Sequence, residues 1–136
     1  MNECVFCKIN RGDVSSNKVY EDDNFFAFLD INPVNLGHVL VVPKNHYENI
    51  YSAPDEILCG LGPIVKKIAI VVKKGVNADG INIIMNNDSA AGQIVHHAHF
   101  HIIPRFADDG YRHWLGKPYA NKEESAKIAE KIKGGF

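Results

Sequence analysis

The hydrophobic pattern of the chain changes period several times, and each change marks an element. Phe6 to Arg11 reads as a short helix stopped by Gly12. Val19-Tyr20-Glu21 and Phe25 to Leu29 read as two strands around the turn Asp22-Asp23-Asn24. Asn32-Pro33 and Leu36-Gly37 punctuate a loop. His38 to Pro43 is β-branched and apolar at successive positions, which predicts a strand buried on both faces. Leu58, Leu61, Val65, Ile68 and Val72 recur at steps of three and four, so about Pro54 to Lys74 should be the main helix. Ser52 and Asp55 have the spacing of a capping box. Lys73 and Lys74 suit the far end of the helix dipole, and Gly75 supplies a stop. Pro63 predicts a kink or a break, because it removes a backbone donor inside the helix.

Ile81 to Met85 and Ile94 to Ile103 read as two more strands, separated by the polar loop Asn86 to Gly92. A charged helix from about Lys122 to Lys133 carries a sparse apolar stripe and ends at Gly134-Gly135. Strand pairs interrupted by one long helix indicate an α+β fold. No repeat or Pro/Ser-rich linker divides the chain, so 1–136 is expected to form one domain.

Charge and cysteine content narrow the function classes. Lys plus Arg total 15 and Asp plus Glu 16, so no global field favours nucleic acid or membrane, and an anion site has to be local. The longest apolar run, Ile68 to Val72, is far too short to span a bilayer. Met1-Asn2-Glu3 lacks the start of a signal peptide, so a cytoplasmic location is expected. Three cysteines, Cys4, Cys7 and Cys59, do not make a disulfide scaffold. Cys59, in the main helix, is expected to be a buried apolar side chain.

The chemistry concentrates in His97-Ala98-His99-Phe100-His101. On a strand, alternate residues face one way at about 6.6 Å spacing, so the three histidines should share a face. His96 then falls on the other side. A row of imidazoles suits two chemistries: metal ligation, or attack on phosphorus by a neutral ring that needs no separate base near pH 7. Few carboxylates lie near the motif to complete a metal sphere, which favours phosphorus. Cys4-x-x-Cys7 has the spacing of half a zinc site, though buried thiols or a redox pair share that spacing. No βαβ pattern precedes it, which speaks against a thioredoxin-like role.

The run Gly92-Gln93-Ile94-Val95-His96-His97-Ala98-His99-Phe100-His101-Ile102-Ile103 resembles the signature of the histidine triad family, His-φ-His-φ-His-φ-φ with φ apolar. Asp30 to His46 resembles the second block of that family, and Cys4-Val5-Phe6-Cys7 its start. The likeness covers about residues 4–105, and 106–136 resembles the short tail of bacterial members. The resemblance implies a five-stranded antiparallel sheet with two main helices, continued across a homodimer. It implies hydrolysis or transfer at the α-phosphate of a purine nucleotide, from phosphoramidates or dinucleoside polyphosphates. His99 would be the nucleophile, forming a nucleotidyl-histidine. His97 and His101 would flank it, and His38 would support the triad. Asp30 would bind the ribose hydroxyls; Phe6, Ile9 and Ile31 would form the base slot; Asn86 and Gln93 would hydrogen-bond phosphate oxygens or the surroundings of the nucleophile. In members with the cysteine pair, Cys4, Cys7, His46 and His97 would hold a structural zinc. Ile94 stands where phosphoramidate-processing members carry Ser or Thr, so a hydroxyl contact to the leaving group is missing. The rival reading is a non-catalytic nucleotide-binding or scaffold protein with the same fold.

Overall fold

A computed structural model describes residues 4–136; the reading of Met1-Asn2-Glu3 lies outside them. Helix α1 (Val5–Arg11) ends at Gly12, whose φ of +85° closes the turn, as the sequence predicts. Strands β1 (Lys18–Glu21), β2 (Phe25–Leu29) and β3 (Val39–Pro43) follow, then helix α2 (Asp55–Gly75). Strands β4 (Gly80–Ile84) and β5 (Phe100–Arg105) precede helix α3 (Lys122–Lys133). A single 3₁₀ turn, Ser89–Ala91, lies between β4 and β5. The five strands form one antiparallel sheet in the order β1-β2-β3-β5-β4.

The pleat of β2 and β3 sorts the core into two layers. Phe25, Ala27, Val39 and Val41 face α2, where they pack with Leu61, Val65, Ile68 and Ile102. Phe26, Phe28, Leu40 and Val42 face the other way and pack with Phe6 and Ile9 of α1. A continuous apolar run needs this double burial, because a strand with one wet face would alternate. The sheet is thus clamped by a long helix on one face and a short one on the other. No helix among the described residues is long and apolar enough to cross a membrane.

Several local expectations are corrected. Pro63 lies inside α2 and the helix runs through it as one element, so it does not break the helix. Leu61, Val65 and Ile68 are buried on both sides of the proline, and that packing holds the helix across the lost hydrogen bond. Ser52 does not cap α2: the N-cap is Pro54, and the Ser52 hydroxyl bonds Asn49 instead. Cys59 is exposed, on the outward side of α2. The last strand begins at Phe100 rather than Ile94. Its partner β3 ends at Pro43, which has no N–H to offer, and Ala98 turns its own N–H to the Tyr47 carbonyl at 2.6 Å.

Candidate active site

Because residues 94–99 leave the sheet, only His101 of the three histidines lies on a strand. His101 sits on β5 and His99 just before it, while His97 is fully buried and, like His99, meets the Phe6 ring. His99 Nδ1–H donates to the His97 carbonyl at 2.6 Å. That bond fixes the tautomer and leaves the Nε2 lone pair unused. The His99 ring meets the Phe6 ring edge-on, with centroids 5.1 Å apart, and lies 4.9 Å from the ring of His101.

The neighbouring pair carries a directed chain of protons. The Val34 N–H donates to His38 Nδ1 at 3.2 Å, and a backbone N–H has no other role to play. His38 therefore keeps its proton on Nε2 and donates it to His101 Nδ1 at 2.9 Å. His101 in turn holds its proton on Nε2. Asp30 lies behind, with Oδ2 3.7 Å from His38 Nε2 and Oδ1 accepting the Asn32 N–H. Burial holds His38, His99 and His101 below the ordinary imidazole range. His101 falls to about 4, with His99 and His38 adding to the effect of burial and Asp30 opposing it. All three rings are neutral at pH 7.

These groups open on a cavity of about 560 Å³, within the size range of small-molecule sites. Phe6, Ile9, Asp30, Ile31, Asn86, His38, His99 and His101 all line it. Phe28, Leu40 and Val95 line it as well, and the sequence reading did not single them out. The parity of the first two along their strands, opposite to Ala27 and Val39, was the signal available. Ile94 stands at the rim, 90% exposed.

Two expected residues are not turned to this cavity. Gln93 is buried, and its polar atoms are spent on backbone: Oε1 accepts the Asp88 N–H, and Nε2 donates to the carbonyls of Glu48 and Val95. It ties the 86–93 loop to residue 48 and has no atom left for phosphate. His97 contributes only its carbonyl to His99, because both ring nitrogens are engaged elsewhere.

Those nitrogens lead to a second site. Ligand atoms of Cys4, Cys7, His46 and His97 all lie within 4.8 Å of one another. Cys4 Sγ is 3.4 Å from His97 Nδ1; Cys7 Sγ is 3.5 Å from His46 Nδ1 and 3.6 Å from His97 Nδ1. Zinc–sulfur bonds of ~2.3 Å and zinc–nitrogen bonds of ~2.0–2.1 Å at a tetrahedral angle put S and N about 3.5 Å apart, so these spacings match the edges of such a site. His97 Nε2–H donates to the Pro43 carbonyl at 2.8 Å, which points the Nδ1 lone pair at the sulfurs. Burial and the adjacent Cys4 thiol push Cys7 up, a cost that a cation between the sulfurs would reverse. The four residues fit a metal ion. Asp30, His38 and His101 also converge, but a metal there would have to displace the proton that His38 Nε2 carries, with Nδ1 already taken by Val34.

The HIT domain family model matches residues 11–108. A HIT-like protein of Methanocaldococcus jannaschii is 54% identical over 107 residues, 79% of this chain and 82% of that one. An adenosine 5'-monophosphoramidase of Candida albicans is 37% identical over 136 residues, 96% of this chain and 89% of that one. A crystal structure from Streptococcus mutans superposes with a TM-score of 0.93 at 42% identity, covering 99% of this chain and 86% of that one. A zinc-bound histidine triad family protein from Mycobacterium smegmatis superposes at 0.76 with 34% identity, covering 98% of each chain. Agreement in sequence and fold over most of its length places this chain in the HIT, or histidine triad, family.

Proposed function

We propose that the chain is a nucleotide hydrolase or transferase acting at the α-phosphate of a nucleoside phosphoramidate or dinucleoside polyphosphate. The observation that carries this reading is the fixed tautomer of His99, which leaves a lone pair on Nε2 at the wall of the cavity. Nε2 attacks the α-phosphorus, and the bond from phosphorus to the leaving nitrogen or oxygen breaks. The Nε2–H of His101 hydrogen-bonds the departing atom and stabilises its developing charge, solvent supplies the proton that atom takes up, and His38 holds the His101 ring to that task. Water then cleaves the nucleotidyl-histidine, returning the lone pair to His99. The base, a purine, lies in the apolar slot of Phe6, Ile9 and Ile31, and Asp30 accepts from the ribose hydroxyls. Asn86 is the phosphate contact. The Candida phosphoramidase supports the substrate class. Ile94 offers no hydroxyl to the leaving group, so the leaving group is the least constrained part of the substrate.

Zinc, bound by Cys4, Cys7, His46 and His97, supplies a structural cross-link here and takes no part in the reaction; the zinc-bound mycobacterial relative supports the choice of metal. The chain works as a single domain in the cytoplasm, without nucleic acid or membrane. It forms a homodimer, with the open edge of β4 and its half-exposed Ile83 as the surface that continues the sheet.

The test is incubation with adenosine phosphoramidate and diadenosine polyphosphates, followed by intact-protein mass spectrometry. Wild type should turn over at least one substrate and show an added nucleotidyl mass during turnover. His99→Ala should do neither. Unchanged activity in His99→Ala overturns the mechanism. Tight AMP binding by calorimetry with no turnover of any substrate supports the non-catalytic reading instead.

A further inference from the structure

Helix α1 has an unusual position between the two sites. Its backbone, among the described residues, hydrogen-bonds only within the segment 4–13. Its buried side chains are Phe6 and Ile9, and both are walls of the substrate cavity. Cys4 and Cys7 flank Phe6 in sequence and reach His46 and His97. The Phe6 ring packs edge-on against both His99, at 5.1 Å, and His97, at 5.8 Å. The His97 carbonyl orients His99. The two walls that hold the nucleophile are therefore each one step from the cysteine pair.

We propose that Cys4 and Cys7 form a redox-controlled clamp on the nucleotide cavity: metal-bound thiolates hold Phe6 and His97 against His99, and oxidation of the pair releases the metal and loosens the base slot. This rests on the functional reading above for the identity of ligand and metal. Both cysteines are half-exposed, and they stand three residues apart across the N-terminus of α1, a spacing at which two thiols can join. The oxidant is a peroxide. One thiolate attacks a peroxide oxygen, giving a sulfenic acid and hydroxide. The other thiolate attacks the sulfenic sulfur and expels a second hydroxide. Two thiolates become one disulfide, hydrogen peroxide becomes two waters after proton uptake, and the divalent ion leaves with no ligand charge to hold it. Reduction and fresh metal restore the clamp. Binding linkage makes the coupling reciprocal, so AMP must tighten metal binding by the factor by which metal tightens AMP.

The experiment measures AMP affinity by calorimetry on the full chain in three states: zinc-loaded, stripped by chelator under reductant, and oxidised by hydrogen peroxide with the excess removed. Zinc release is read with a chromophoric chelator and the disulfide by mass. Affinity should fall roughly tenfold in both altered states, the scale of ordinary site-to-site coupling, and recover with reductant and zinc. Phe6→Ala should still bind zinc but show weak AMP binding that no longer responds to stripping. Equal affinity in all three states overturns the clamp, as does a full zinc dependence in Phe6→Ala. Global loss of the far-UV signal on stripping also overturns it, because the clamp acts on α1 alone. A zinc-loaded protein that binds no AMP overturns the functional reading instead, a distinguishable failure.

Discussion

At the scale of single residues, the site depends on where three protons sit. Replacing His101 with alanine removes the hydrogen-bond donor to the leaving group and should lower kcat by about 10²–10³-fold. His38→Ala leaves that donor in place but unoriented, so its kcat should fall less; a larger loss than in His101→Ala would contradict the proton chain drawn from Val34. The pH profile follows from burial. Burial depresses the nucleophile His99, so the acid limb of kcat/KM should lie below the ordinary imidazole value near 6.5. The linked stability has the same sign: it is fully present above ~6.5 and is lost as pH falls toward the value of about 4 found for His101. An acid limb centred at or above 6.5 would show that the rings are not buried in solution. Gln93 makes a different prediction. Gln93→Ala strips partners from the Asp88 N–H and the Glu48 carbonyl, and Asp88 is held at a φ of +70°. It should cost about 1–3 kcal/mol in chemical denaturation and speed amide exchange in the 86–93 loop. An unchanged stability with a raised KM would mean that Gln93 touches phosphate after all.

At the scale of elements, the sequence was most legible where packing and periodicity agree. The boundaries of β2 and α3 fall where the apolar run after Asp22-Asp23-Asn24 and the stop at Gly134-Gly135 put them, and β3 begins one residue after His38. It was least legible where a distant residue decides. Nothing in Ile94 to His99 announces that Pro43 will end the neighbouring strand, or that Tyr47 will take the Ala98 N–H. That single departure brings the His97 Nδ1 within reach of the cysteines. The motif therefore named the right side chains but not the irregular backbone that carries two of them. Pro63 shows the reverse case, in which tertiary burial overrides a local signal. Pro63→Ala restores an N–H at an exposed helix position without disturbing Leu61 or Val65. It should stabilise the protein by ~1–3 kcal/mol in denaturant titration; a neutral or destabilising result would mean that the lost chain stiffness outweighs the regained hydrogen bond.

At the scale of the whole molecule, the two faces of the sheet do different work. The α2 face is a dry core, and the α1 face is a thinner layer in which core, cavity and metal ligands share the same side chains. The tail beyond β5 belongs to neither. Arg105 grips Asp109 through two nitrogens, and Asn35 adds a third contact to that carboxylate, so the chain is pinned as it leaves the sheet. That guanidinium holds the Asp109 carboxyl well below the usual range, so the pin persists in acid. After it, Trp114, Leu115 and Tyr119 are exposed, and α3 has no buried residue at all. A helix that buries nothing adds little to the fold that carries it. Deleting residues 121–136 should therefore leave the denaturant midpoint of the isolated chain within about 0.5 kcal/mol of wild type. The measurement is made at several protein concentrations. A midpoint that falls in the truncated chain, and does so only at concentrations where wild type self-associates, would show that α3 is folded against a second copy rather than standing alone.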